Sequence, residues 1–151
     1  MKELDRNTVE SSELVEQTFK FWFADHEHIR SPFPTYIHNE LKQKATDRFY
    51  VWVNGLEAKA KDELNDEMIG EKFEEVIFDT AGKLVKTEDE RITIQYPFLP
   101  RINDKIENKE QGDSIVTDRS IVKEGDVSFL KLYLKRLDSG EIWNTKMELP
   151  M

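Results

Sequence analysis

All three histidines of the chain, His26, His28 and His38, fall within 13 residues, with Glu27 between them and Asp25 and Glu40 close by. Imidazole and carboxylate ligands at that density suit zinc, iron or manganese. In Asp25-His26-Glu27-His28 the two imidazoles share a side when the backbone is extended and point apart when it is helical. A polar helix end accounts for the same residues more plainly, because a cationic histidine near a helix C-terminus is favoured by the dipole. His26, His28 and His38 are the candidate metal ligands, and no cofactor is implied beyond them.

Other groupings carry less chemistry. Asp62, Glu63, Asp66, Glu67, Glu71, Glu74 and Glu75 supply carboxylates, yet a bundle di-metal site also needs Glu-x-x-His pairs, and none occurs. Most of these acids lie away from Leu64, Phe73 and Ile77, on what patterning makes a solvated face. Gly82-Lys83 lacks the earlier glycine and the following hydroxyl of a phosphate loop, since Ile77 and Leu84 stand there. Two Ser-x-x-Lys matches, Ser120 to Lys123 and Ser128 to Lys131, fall in strand-patterned sequence, where the spacing puts serine and lysine on opposite faces. A Ser-His-Asp triad needs no linear signature. Nothing in the sequence points to one.

Aromatic side chains offer two further possibilities. Tyr96, Tyr133 and Trp143 could supply the polar ends of an apolar ligand cleft between helices and sheet. Phe129, Lys131, Tyr133 and Lys135, with Arg119 beside them, have the composition of a stacking platform for single-stranded nucleic acid. An ordinary half-exposed antiparallel sheet alternates lysine with tyrosine in the same way. The charge balance, 31 acidic against 22 basic side chains and a net −9, disfavours binding to nucleic acid or to an anionic membrane. The acidity belongs to residues 1–90; residues 91–151 carry ten acids and ten bases.

The elements that must position these groups change period near residue 90. A helix is expected from about Asn7–Ser12 to Asp25. Its apolar residues Leu14, Val15, Phe19, Phe21, Trp22 and Phe23 cover about half the circumference, more than one packed neighbour hides. Phe19 and Trp22 are expected to face the sheet. Phe21, on the other edge of the arc, is the candidate interface residue for a partner protein or a second copy in a homodimer. Ser31-Pro32-Phe33-Pro34 breaks the helix. Ile37, Leu41, Ala45, Phe49, Trp52, Leu56, Ala60 and Leu64 continue with helical spacing across Asn54-Gly55, and that continuity favours a helix over a strand at 49–53. A third helix is expected from a cap at Asn65 or Asp66 to about Val85.

From Arg91 the apolar period becomes two. Ile92, Ile94, Tyr96 and Phe98 predict a strand, followed by a polar loop over 103–113 and three strands joined at Lys123–Asp126 and Leu137–Gly140. In the strand Val127–Arg136, Leu130, Leu132 and Leu134 form an aliphatic face. The expected fold is therefore α+β, with about three N-terminal helices packed on a C-terminal antiparallel sheet of about four strands. It forms a single domain over 1–151, helical to 90 and a meander from 91.

The chain contains no cysteine, which removes disulfides, thiolate chemistry and cysteine-ligated zinc together. No apolar run approaches the roughly 20 residues of a membrane helix, and Met1 to Ser12 lack the apolar core of a secretory signal. The composition thus predicts a soluble, cytoplasmic chain without membrane contact. Its leading function is a non-catalytic protein-binding or regulatory module; the alternative is a small-molecule-binding protein or enzyme.

Overall fold

The computed structural model describes residues 9–26 and 30–150. The fold is α+β, with helices first and an antiparallel sheet second, and it divides into two compact units, residues 1–97 and 98–151.

The described residues of the first unit hold five α-helices: α1 (Val9–Trp22), α2 (His38–Asn54), α3 (Ala58–Glu63), α4 (Asp66–Leu84) and α5 (Glu88–Gln95). The two prolines at 32 and 34 separate α1 from a short 3-10 turn at Thr35–Ile37, which leads directly into α2. Residues 49–53 are helical, but the helix does not run on to Leu64. Gly55 caps α2, and α3 starts afresh at Ala58, so the unbroken apolar spacing spans two helices. Asn65 caps α4 as expected, its side chain accepting from the Met68 N–H at 2.8 Å. Phe19, Leu41, Phe49, Phe73, Ile77 and Ala81 lie at the heart of the buried helical cluster. Phe73 meets Phe19 edge-on at 5.6 Å and stacks on Phe49 at 4.6 Å. Phe19 and Trp22 thus find cover inside this unit, Trp22 against Phe78 at 5.0 Å.

The expected strand at 91–98 is instead the end of α5, up to Gln95, with its cap at Tyr96 and a turn beyond. Four alternating apolar residues are a weak signal beside the capping box that precedes them. The Thr87 hydroxyl accepts from the Glu90 N–H at 3.1 Å, and the Glu90 carboxylate accepts from the Thr87 N–H at 3.0 Å. Glu88, Asp89 and Glu90 also place three negative charges on the first turn, where the helix dipole favours them. Burial pushes the Glu90 carboxyl up, but hydrogen bonds from Tyr36 and Thr87 outweigh it and hold it below its ordinary value. The contribution of this carboxylate is complete above the ordinary glutamate pKa and is lost as pH falls through the lowered folded value. Thr87→Ala is expected to lower stability by about 1 kcal/mol in chemical denaturation, with Thr87→Ser close to wild type. A loss within a few tenths for the alanine variant would mean that the box does not hold α5.

The second unit is a four-stranded antiparallel sheet in the order β1 (Lys105–Ile106), β2 (Ser114–Glu124), β3 (Val127–Arg136) and β4 (Ile142–Glu148). Its fourth strand is the two-residue β1 inside the polar loop, not residues 91–98. Glu124 pairs with Val127, leaving a two-residue hairpin in which Gly125 takes φ +62°, a conformation that few other residues adopt without strain. Leu130, Leu132 and Leu134 are buried, as the alternation in β3 requires, and they pair with Met147, Thr145 and Trp143 of β4.

Arg119 corrects one expectation. Val116 pairs with Leu134 and Asp118 with Tyr133, so Thr117 is an extra residue bulging from β2. The bulge reverses the facing of everything after it. Arg119 therefore lies opposite Leu132 on the leucine face, buried, with Nη1 donating to the Pro100 carbonyl at 3.0 Å. It does not join the aromatic and basic face.

Candidate functional site

The expected site residues are placed as follows. His26 stacks on Phe21 with ring centroids 4.4 Å apart, and its Nε2 donates to the Phe21 carbonyl at 2.8 Å. His38, at the start of α2, stacks on Phe23 at 3.9 Å and donates from Nε2 to the Phe33 carbonyl at 2.9 Å. Each imidazole is thus tied to its own phenylalanine and its own carbonyl. His28 lies outside the described residues. Among the described residues no three histidine, aspartate or glutamate side chains gather where a metal ion could be held.

Phe21 is partly exposed, at 40%, with the His26 ring across one face and Trp22 edge-on at 5.2 Å. Phe33, from the proline-rich turn, packs instead on Trp22 and Phe23. Tyr96 caps α5 in the helical unit. Tyr133 and Trp143 sit on neighbouring strands but on opposite faces, because Tyr133 pairs with Asn144 while Trp143 pairs with Leu134. Trp143 is fixed by its indole N–H, which donates to the Ser114 hydroxyl at 2.8 Å.

Two surfaces merit attention. The first is the outer part of the sheet. Phe129, Lys131, Tyr133 and Lys135 of β3 share a face with Ile142, Asn144, Lys146 and Glu148 of β4. Lys131 lies over the Tyr133 ring at 5.2 Å and Lys146 over Phe129 at 4.6 Å, and Lys146 also pairs with Glu124. These contacts spread the lysines flat over their aromatic neighbours. β4 is the terminal strand, and among the described residues no strand pairs with its outer edge. All seven of its residues are exposed or half-buried. The Arg136 N–H donates to the Glu141 carbonyl and the Leu149 N–H to the Ser128 carbonyl. Antiparallel pairs alternate, so residues 143, 145 and 147 turn their backbone groups toward β3. Ile142, Asn144, Lys146 and Glu148 turn theirs outward.

The second surface is a cleft of about 600 Å³ in the helical unit, where α4 and α5 meet; Phe78, Lys83, Arg91, Ile94 and Pro97 are on its walls. Lys83 reaches Asp79 at 3.3 Å, while Arg48 holds Asp79 more closely at 2.8 Å. The Arg48 hydrogen bond keeps the Asp79 carboxyl below the usual aspartate value, against the effect of burial, and Lys83 adds to the lowering. Among the described residues Arg91 makes long contacts, 3.5 Å to the Val85 carbonyl and 3.8 Å to Glu88. Sequence reasoning missed this cleft because it placed Arg91 on a strand. The signal that could have found it is Thr87-x-x-Glu90, which starts α5 and sets Arg91 and Ile94 on one helical side three residues apart.

No protein-family model matches the chain, and no curated protein or solved structure matches it. No helix among the described residues is long and apolar enough to cross a membrane.

Proposed function

We propose that the protein is a non-catalytic protein-binding module whose sheet takes up an extended segment of its partner along β4. The observation that carries this reading is the outer edge of β4: seven residues without proline, glycine or bulge, with outward backbone groups that no described strand satisfies. An unpaired edge of that length is a template for an added strand, with main-chain hydrogen bonds giving affinity and alternate side chains giving selectivity. Trp143 and Met147, both half-buried, flank the edge on the leucine face, while Asn144 and Lys146 flank it on the other. A fitting segment alternates apolar residues beside Trp143 and Met147 with polar ones beside Asn144. A carboxylate beside Lys146, taking the place of Glu124 on its ammonium, completes the match. Lys146 also disfavours a second copy of β4 in register, because its own repeat brings like charge near like charge.

Asn144→Pro tests the reading directly. It removes an outward N–H and leaves the ladder to β3 intact, the one kind of strand position where proline is tolerated. Extended peptides selected on the wild-type protein from a random library should bind the variant at least about tenfold more weakly, since several edge hydrogen bonds go with the blocked register. Thermal melting of the variant should stay near wild type. Selected peptides that bind both proteins equally, or selection that yields none, would remove the edge as a docking site.

A further inference from the structure

We infer that the cleft between α4 and α5 is a binding site for a small amphipathic carboxylate, an apolar body bearing one acid group. The inference is independent of the β4 edge. Four features of the cleft converge on that ligand.

The volume of about 600 Å³ lies within the range of small-molecule sites. Apolar wall is supplied by Phe78, by the buried Ile94 and by Pro97. The charges run against their surroundings. Residues 1–97 carry 21 acidic and 13 basic side chains, a net −8, yet the ionic groups at this cleft are Lys83, Arg91 and a single carboxylate, Asp79. That carboxylate is already engaged by Arg48, which approaches from α2. Positive charge is therefore in surplus where the unit as a whole is negative, and an incoming acid meets two cations without an uncompensated repulsion. Both cations are held loosely: Lys83 shares Asp79 with a closer partner, and Arg91 makes contacts at 3.5 and 3.8 Å, both beyond a good hydrogen bond. A ligand carboxylate offers each a shorter, charge-assisted bond. Gln95, also on the wall, adds an amide that can donate to the same acid.

Gly82 is the fourth feature. It sits inside α4 and lines the cleft, and a Cβ added there would meet nothing within 4 Å. Its φ is not positive, so neither backbone conformation nor packing calls for glycine. A side chain at this position would start from the wall of the cleft with open space around it.

Naphthylacetate is a suitable probe, with its uncharged counterpart naphthylacetamide and inorganic phosphate as controls, each titrated into the full chain and followed by ligand-observed NMR. Naphthylacetate should bind saturably and more weakly as salt is added. The amide should bind roughly tenfold more weakly, as should the acid to Arg91→Gln, a change at a half-exposed side chain after which the protein should remain folded. Gly82→Leu should abolish binding while the protein remains folded, because leucine is the better helix former and its side chain enters open space. Equal binding of acid and amide would overturn the inference, and so would phosphate alone binding as tightly as the aromatic acid. Unchanged binding to Gly82→Leu would place any bound probe elsewhere and overturn it too. Should Gly82→Leu fail to fold, Arg91→Gln and the amide control still decide the matter.

Discussion

Phe73→Ala is expected to cost about 3–5 kcal/mol, the range for deleting a buried ring whose surroundings cannot collapse onto the space. Phe73 is fully buried, and its neighbours come from both sides: Phe19 of α1 edge-on and Phe49 of α2 stacked. Aromatic pairs of these geometries add about 0.5–1.5 kcal/mol beyond area burial, so removing the central ring loses both at once. Relaxation is limited because each neighbour is held in turn, Phe19 by Phe23 at 5.1 Å and Phe49 by Tyr50 at 5.5 Å. Phe73→Leu keeps much of the volume and should cost clearly less. Urea denaturation followed by the fluorescence of Trp22 and Trp52 measures both variants, since each indole lies in this unit, Trp22 against Phe78 and Trp52 against Phe49. A loss below about half a kcal/mol for the alanine variant, the scale of surface substitutions, would show that Phe73 is not the centre of the helical core.

Much of this core is visible in sequence because apolar spacing and capping chemistry agree there. Ile69, Phe73, Val76 and Ile77 recur at helical intervals behind an Asn65 cap, and the helix forms where both signals place it, although Met68 of the same stripe is exposed. The hairpins are legible for the same reason: Gly125 and Gly140 stand where the turns need positive φ, at 62° and 75°. What fails is arbitration between signals of unequal strength. At 91–98 a short apolar alternation competes with a reciprocal Thr87–Glu90 cap backed by three acids, and the local hydrogen bonds win. At Arg119 the sequence alternation is real, but one bulged residue, Thr117, shifts its phase, and no residue type announces a bulge of that kind.

The candidate sites divide along the same line. The exposed edge of β4 follows from strand order once the hairpins are read correctly. The α4–α5 cleft does not, because Lys83 and Arg91 come to line one cleft only through a helix that alternation hid. The histidines show the converse. Closeness in sequence suggests one shared site, whereas His26 and His38 each stack on a separate phenylalanine.

Leu132→Ala in β3 should cost about 2–5 kcal/mol, whereas Tyr133→Ala, one residue along, should cost much less. The pair decides which face of the sheet is core, since a slip of one residue exchanges every side chain between faces. Leu132 is 2% exposed; it lies between the buried Leu130 and Leu134 on its own strand and opposite Arg119 and Thr145 on the neighbouring ones. Truncating it removes a branched side chain from a row in which every other leucine is also buried. It also leaves a void opposite Arg119, itself a buried residue whose Nη1 donates to the Pro100 carbonyl. Tyr133 is only half-buried on the opposite face, and its ring is in contact with Lys131, an arrangement worth about 0.5–1 kcal/mol at an exposed site. Trp143 reports the unfolding of this unit, because it pairs with Leu134 and its indole is held by Ser114. If Tyr133→Ala proves the more damaging of the two, the leucine row is not the inner face. The outward backbone groups would remain at Ile142, Asn144, Lys146 and Glu148, but the side chains flanking the edge of β4 would have to exchange sides, and with them the pattern of apolar and acidic residues expected in its partner.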